Sequence, residues 1–154
     1  MLSSNLILRM IRPGFLSASA VGCVLGWAVA YGSGLPFQAI YALWTLLLAL
    51  LLHAAANVIN DVADAQNGGD AMNQEAIAPF TGGAGLLQSG QVTLAQTRKL
   101  ALILLVSALL GGCVLASQIN WGLLWCGAAG AVLAWGYSAP PLQLMRRGVG
   151  ELAV

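Results

Sequence analysis

The chain has 154 residues and a formal net charge of +1, with 59% hydrophobic and only 7% charged residues, and its mean hydropathy is strongly positive. A chain so composed cannot present an ordinary soluble surface, so the expected fold class is all-α, a polytopic membrane helical bundle in contact with lipid. The near-zero net charge excludes a nucleic-acid partner, which would need a basic stripe to neutralise phosphates.

In chain order, Arg9 and Arg12 precede a run rich in small apolar residues. This could open a secretory signal peptide, but the later apolar segments make cleavage unnecessary. Ala20 to Cys23 is faintly similar to a lipoprotein cleavage box, but the apolar run before it is too short. A spanning helix needs about 20 mostly apolar residues, and four windows qualify, at about 15–31, 37–59, 100–117 and 119–137, with the start of a fifth at the last residues. If the four alternate in direction, one side carries the N-terminus, the stretch 60–99 and everything after Tyr137. That side holds every basic residue (Arg9, Arg12, Arg98, Lys99, Arg146, Arg147) and every acid (Asp61, Asp64, Asp70, Glu75, Glu151). By the positive-inside rule it is cytoplasmic. The expectation is a multi-pass protein of the inner (plasma) membrane with its N-terminus and any polar site on the cytoplasmic side.

The second window runs directly into acids and amides. His53, Asn57, Asn60 and Asp64 are spaced by four, three and four residues, so they line one helix face, with Asp61 beside them. For His53 and Asn57 the plainer reading is a polar seam that hydrogen-bonds neighbouring helices. The acids invite more, because carboxylates at the edge of a span face a polar cavity or a cation, lipid offering them nothing. Asp61, Asp64 and Asp70 repel one another unless something cationic sits among them. Magnesium is the natural candidate, since it takes hard oxygen ligands and commonly joins one or two carboxylates to substrate phosphates. The cluster therefore points to a diphosphate, with a proton relay as the alternative. The alternating ligands of an EF-hand are absent.

The loop 68–93 is polar, glycine-rich and long, and its turn around Ala78-Pro79 suits either a binding lid or a plain connector. Arg98 and Lys99 open the third window as interface anchors or diphosphate ligands. Cys23, Cys113 and Cys126 fall inside apolar windows without the spacing of a metal or dithiol site, and Gly111-Gly112 and 127–130 are small residues of the kind that let helices approach closely in lipid. Pro140-Pro141 ends the fourth window. Around it stand Tyr137, whose electron-rich ring can face a cation, and Arg146 and Arg147, whose forks suit phosphate oxygens or simply snorkel.

The runs NVINDVADAQNGGD, PFTGGAGLLQSGQVT and YSAPPLQLMRRGVGE together resemble the UbiA superfamily of intramembrane aromatic prenyltransferases. Within it the likeness is to the 1,4-dihydroxy-2-naphthoate polyprenyltransferase branch of menaquinone biosynthesis, on the strength of Asn-Asp-x-x-Asp with a longer gap to Asp70 and of Arg147 to Glu151. Arg12-Pro13 fits the family's common opening, while Ala78 stands where some branches place an arginine before the proline.

The resemblance implies an all-helical fold, usually of nine spans around a central cavity. It also implies transfer of a polyprenyl group from an isoprenyl diphosphate to an aromatic acceptor, with Mg2+ held by two aspartate-rich motifs. Asn60, Asp61, Asp64 and Asp70 match the first motif as metal ligands. Asp61, Asp64 and Tyr137 are the expected catalytic residues, Tyr137 by shielding an allylic cation, and Asn57, Asn60, Arg12, Arg146 and Arg147 the expected substrate-binding ones. Members run to about twice this length, so residues 1–154 are expected to form the N-terminal half of the prenyltransferase domain, with about four complete transmembrane helices, and to be catalytically silent alone. The rival expectations are another acceptor such as 4-hydroxybenzoate, a noncatalytic membrane fragment, or a small transporter using His53, Asn57 and Asp64.

Overall fold

The computed structural model describes residues 2–67 and 84–150. The expectations for Asp70, for the turn around Ala78-Pro79, for Glu75 and Glu151, and for a fifth span lie outside the described residues. Within them the chain forms five helices and no strand: α1 (Ser4–Ile11), α2 (Pro13–Gly32), α3 (Ala39–Asn67), α4 (Leu94–Gln118) and α5 (Leu123–Ser138).

Helix α1 was not among the four expected windows. Ser3 caps it, its Oγ accepting from the Leu6 N–H at 3.4 Å, and Leu6, Ile7, Met10 and Ile11 pack on the core, the two-on, two-off spacing of an amphipathic turn. It stops at Arg12, whose φ of 50° is left-handed, a conformation that costs a non-glycine residue on the order of 1–2 kcal/mol. Pro13 then opens α2 at the position where a missing N–H matters least.

Helices α2, α3 and α4 are each long and apolar enough to cross a membrane. The window expected to end at Ile59 does not end there. Helix α3 continues unbroken to Asn67, so its 29 residues span roughly 43 Å against a hydrocarbon core of about 30 Å. Asp61 and Asp64 thus ride on the projecting end of the same helix. The fourth window is corrected in the other direction. Ile119 to Gly122 form a turn in which Asn120 Oδ1 accepts from the Gly122 N–H at 2.6 Å, a local side-chain bond that competes with helix, and α5 has only 16 residues. It is apolar but shorter than a full span. Helix α4 begins with a reciprocal capping box between Thr93 and Gln96, several residues ahead of the expected window at 100.

Helix α3 is the hub, packing against α1, α2, α4 and α5, most extensively against α4. Small residues permit this. A Cβ at Gly111 of α4 would come within 2.5 Å of Leu48, and one at Gly130 of α5 within 3.1 Å of Leu52, so α4 and α5 lean on α3 at successive turns. Gly112 and Gly127 meet nothing within 4 Å. The outward faces of α2, α3 and α4 carry exposed Val21, Leu25, Leu43, Leu47, Leu102 and Leu110, a surface suited to lipid. The buried core lies at one end, where Met10, Ala55, Val58, Ile59, Leu86, Val92, Leu100, Ala101 and Ala139 cluster. This end joins α1, the C-terminal part of α3, the turn before α4 and the end of α5, as alternating helices require.

Candidate active site

The polar face of α3 meets a different element at each turn. His53 Nδ1 and Ser19 Oγ of α2 are hydrogen-bonded at 2.8 Å. One turn on, the Asn57 amide donates to the Ile11 carbonyl at 2.9 Å, at the C-terminus of α1, where helical carbonyls lack intrahelical partners. Asn60 Nδ2 then donates to Ser138 Oγ at 3.0 Å and approaches Met145 Sδ at 3.9 Å, which ties α3 to the end of α5. His53 and Asn57 therefore stand in an interhelical seam, the plainer of the two readings of their spacing, and Asn60, expected as a ligand, extends it through its amide nitrogen.

Asp61 is buried and accepts from Arg12 Nη2. The two side chains are only 8% and 10% exposed, so each supplies the countercharge that lets the other leave water. Arg12 Nε is buried without a hydrogen-bond partner among the described residues. Asp61 also lines a small crevice with Met10, Leu86, Val92 and Thr97. The turn before α4 closes this crevice, held to α1 by Arg9 Nη1 donating to Gln91 Oε1 at 3.0 Å. Asp64 sits half-buried one turn beyond Asn60 on the same face.

The expected site residues are thus partly gathered. Arg12, Asn57, Asn60, Asp61 and Asp64 share one end of α3, and Asn60 is bonded to Ser138, the neighbour of the half-buried Tyr137. Arg146 and Arg147 lie in the exposed turn after α5, where Arg147 Nη2 donates to the Pro141 carbonyl at 2.9 Å. Sequence reasoning missed Ser19, Ser138, Gln91 and the Ile11 carbonyl as partners. Only α1 had a readable signal, its Ser3 cap and apolar spacing; the other partners lie tens of residues away in sequence. Among the described residues no three His, Cys, Asp or Glu side chains are grouped to hold a metal. The acids among the described residues are Asp61, paired with Arg12, and Asp64.

Fold and site define a polytopic helical membrane protein with an acid-and-amide cluster at one end of its central helix. The UbiA prenyltransferase family model matches residues 19–154, and the chain belongs to that family, whose members transfer prenyl groups to aromatic acceptors. No curated protein and no solved structure matches the chain.

Proposed function

We propose that the acid-bearing end of α3 binds an isoprenyl diphosphate and serves transfer of its polyprenyl group to an aromatic acceptor, 1,4-dihydroxy-2-naphthoate in menaquinone synthesis. The observation that carries this reading is the Asn60-Asp61-x-x-Asp64 run, helix-borne and partly buried, in a chain of this family. The choice of acceptor rests on sequence, on the long gap from Asp64 to Asp70 and on Arg147 to Glu151.

The donor set suits magnesium. Asp64 and Asn60 present hard oxygens one helical turn apart, and the ion usually takes only one or two carboxylates, leaving the rest of its shell to water and phosphate. Asn60, Asp61, Asp64 and Asp70 would hold it, and when bound it supplies charge neutralisation to the departing diphosphate. Arg12 offsets Asp61, so the site does not confront an anionic substrate with bare carboxylates. Arg146 and Arg147, exposed on the turn beside Tyr137, carry forks that suit phosphate oxygens, Arg147 by releasing the Pro141 carbonyl, and the Tyr137 ring would offer its face to a developing allylic cation. The seam itself favours this reading over an ion path, because His53 and Asn57 are each bonded to a neighbouring helix. The cytoplasmic face of the inner membrane is the proposed location, from the one-sided basic residues.

One of the two aspartate motifs implied by the resemblance stands in residues 1–154, so binding is a more direct test than turnover. The purified protein in detergent is expected to retain a radiolabelled long-chain prenyl diphosphate in a magnesium-dependent way. Asp64→Asn should weaken retention by roughly tenfold or more, the loss that even outer-shell partners of a metal cause. Retention that ignores both magnesium and this substitution would overturn the assignment. For the acceptor, the purified protein with prenyl diphosphate and magnesium should bind 1,4-dihydroxy-2-naphthoate more tightly than 4-hydroxybenzoate; the reverse preference would move the chain to another branch.

A further inference from the structure

Asn57 was expected to touch substrate, yet its amide is committed to the Ile11 carbonyl at 2.9 Å. Ile11 is the last residue of α1, and the next residue, Arg12, both breaks the helix with a φ of 50° and carries the guanidinium that pairs with Asp61. Asn57 and Asp61 are four residues apart on α3, so one face of that helix grips the same break twice, once through backbone and once through side chain. We propose that Asn57 is a positioning residue that fixes the α1–α2 break and so delivers Arg12 to Asp61 of the acid motif.

Three features make this more than a packing contact. A left-handed arginine is strained where a glycine would not be, so the break is held by its surroundings, and an outlier of this kind argues for a role of the side chain it carries. The pair is nearly dry, and a dry ion pair is favourable only when its geometry is held closely. Arg12 Nε also lacks a hydrogen-bond partner among the described residues while Nη2 donates to Asp61, so the pairing depends on where the backbone at residues 11–13 is placed. On α3, the Asn57 side chain is bonded to that backbone.

The functional meaning rests on the prenyltransferase reading, through the role of Asp61, but the test does not require turnover. Melting temperatures of the full chain in detergent would be measured for Arg12→Gln, Asp61→Asn and their combination, with Asn57 intact and with Asn57→Leu. With Asn57 intact, the double variant should lose less than the sum of the singles, because each single strands a buried partner. In Asn57→Leu that non-additivity should shrink towards zero. A merely structural Asn57 would lower every melting temperature and leave the non-additivity unchanged, which would overturn the proposal. If Asn57→Leu does not fold, Asn57→Ser, whose hydroxyl ends one bond short of the amide nitrogen, takes its place.

A second readout uses 15N-arginine-labelled protein. One guanidinium should show slowed Nη rotation that Asp61→Asn abolishes, identifying it as Arg12. Loss of that signature in the Asn57 variant supports the positioning role, and its persistence refutes it. Should prenyl diphosphate binding fail altogether, the functional reading falls while these measurements still decide the role of Asn57.

Discussion

At the residue scale, the contacts along α3 differ widely in weight. The hydrogen bond between Ser19 and His53 is of the interhelical kind that averages about 0.6 kcal/mol in a membrane protein, so His53→Ala should shift thermal unfolding only slightly. The Arg12–Asp61 pair is another matter. Removing one member of a buried ion pair costs about 3–5 kcal/mol because the other is left charged and dry, whereas replacing both with apolar residues of similar volume is often neutral. Asp61→Ala is therefore expected to destabilise the protein far more than the combined Arg12→Met and Asp61→Leu. Unfolding followed by circular dichroism in a single detergent would check the order, and a double variant as unstable as the single would show that the pair is not what stabilises this end. The consequence for activity measurements is direct. A loss of prenyl diphosphate binding in an Asp61 variant mixes unfolding with lost chemistry, which is why the half-buried Asp64 is the cleaner probe.

At the element scale, close approach to α3 separates two adjacent glycines. At Gly111 a methyl group would meet Leu48 at 2.5 Å, while at Gly112 it would meet nothing within 4 Å. Overpacking of this kind typically costs about 1–3 kcal/mol, softened here because the obstacle is the end of a flexible leucine. Gly111→Ala should lower the melting temperature, Gly112→Ala should leave it level or raise it through helix propensity, and Leu48→Ala should offset the first substitution. Equal effects at the two glycines would mean that α4 packs differently. The sequence already marked both as small residues at an interface, but it could not say which one faced α3, since adjacent positions differ by about 100° around the helix. Similar reasons govern the other elements. The three long spans were legible because hydropathy over about 20 residues is decisive, and the stripe from His53 to Asp64 because helical spacing fixes a face. Helix α1 went unread because its eight residues are too few to register as a span. The start of α5 was misplaced because the Asn120 turn interrupts a window whose hydropathy does not change. The partner of Asp61 could not be read at all, as Arg12 lies 49 residues away and only tertiary packing brings the two together.

At the scale of the whole molecule, the two ends of the bundle are chemically distinct. One gathers Arg9, Arg12, Asp61, Asp64, Arg98, Lys99, Arg146 and Arg147 around the buried core. The other holds uncharged turns with Trp27 and Phe37 packed edge to face at 6.3 Å, and with Trp121 and Trp125 strongly exposed. Tryptophans of this kind sit at the level of the lipid headgroups. They resolve the shortness of α5: its 16 residues reach about 24 Å, less than the hydrocarbon thickness of about 30 Å, and the aromatic turn ahead of it can occupy the difference at the interface, with local thinning of the bilayer costing only fractions of a kcal/mol per Å. If α5 crosses in this way, α2 to α5 form two hairpins, with the charged residues among those described on one side. Single cysteines placed at Ser4, Ser33, Ala95 and Gln118, all exposed, in a variant lacking Cys23, Cys113 and Cys126, test this. A membrane-impermeant thiol reagent applied to right-side-out vesicles should modify Ser33→Cys and Gln118→Cys, whereas Ser4→Cys and Ala95→Cys should react only after the vesicles are opened, if the basic end lies on the cytoplasmic side as the positive-inside rule proposes. Modification of all four from outside would dismantle the alternating arrangement. The opposite pairing would keep the fold but turn the acid cluster away from the cytoplasm, and the cytoplasmic location proposed for the site would fall with it.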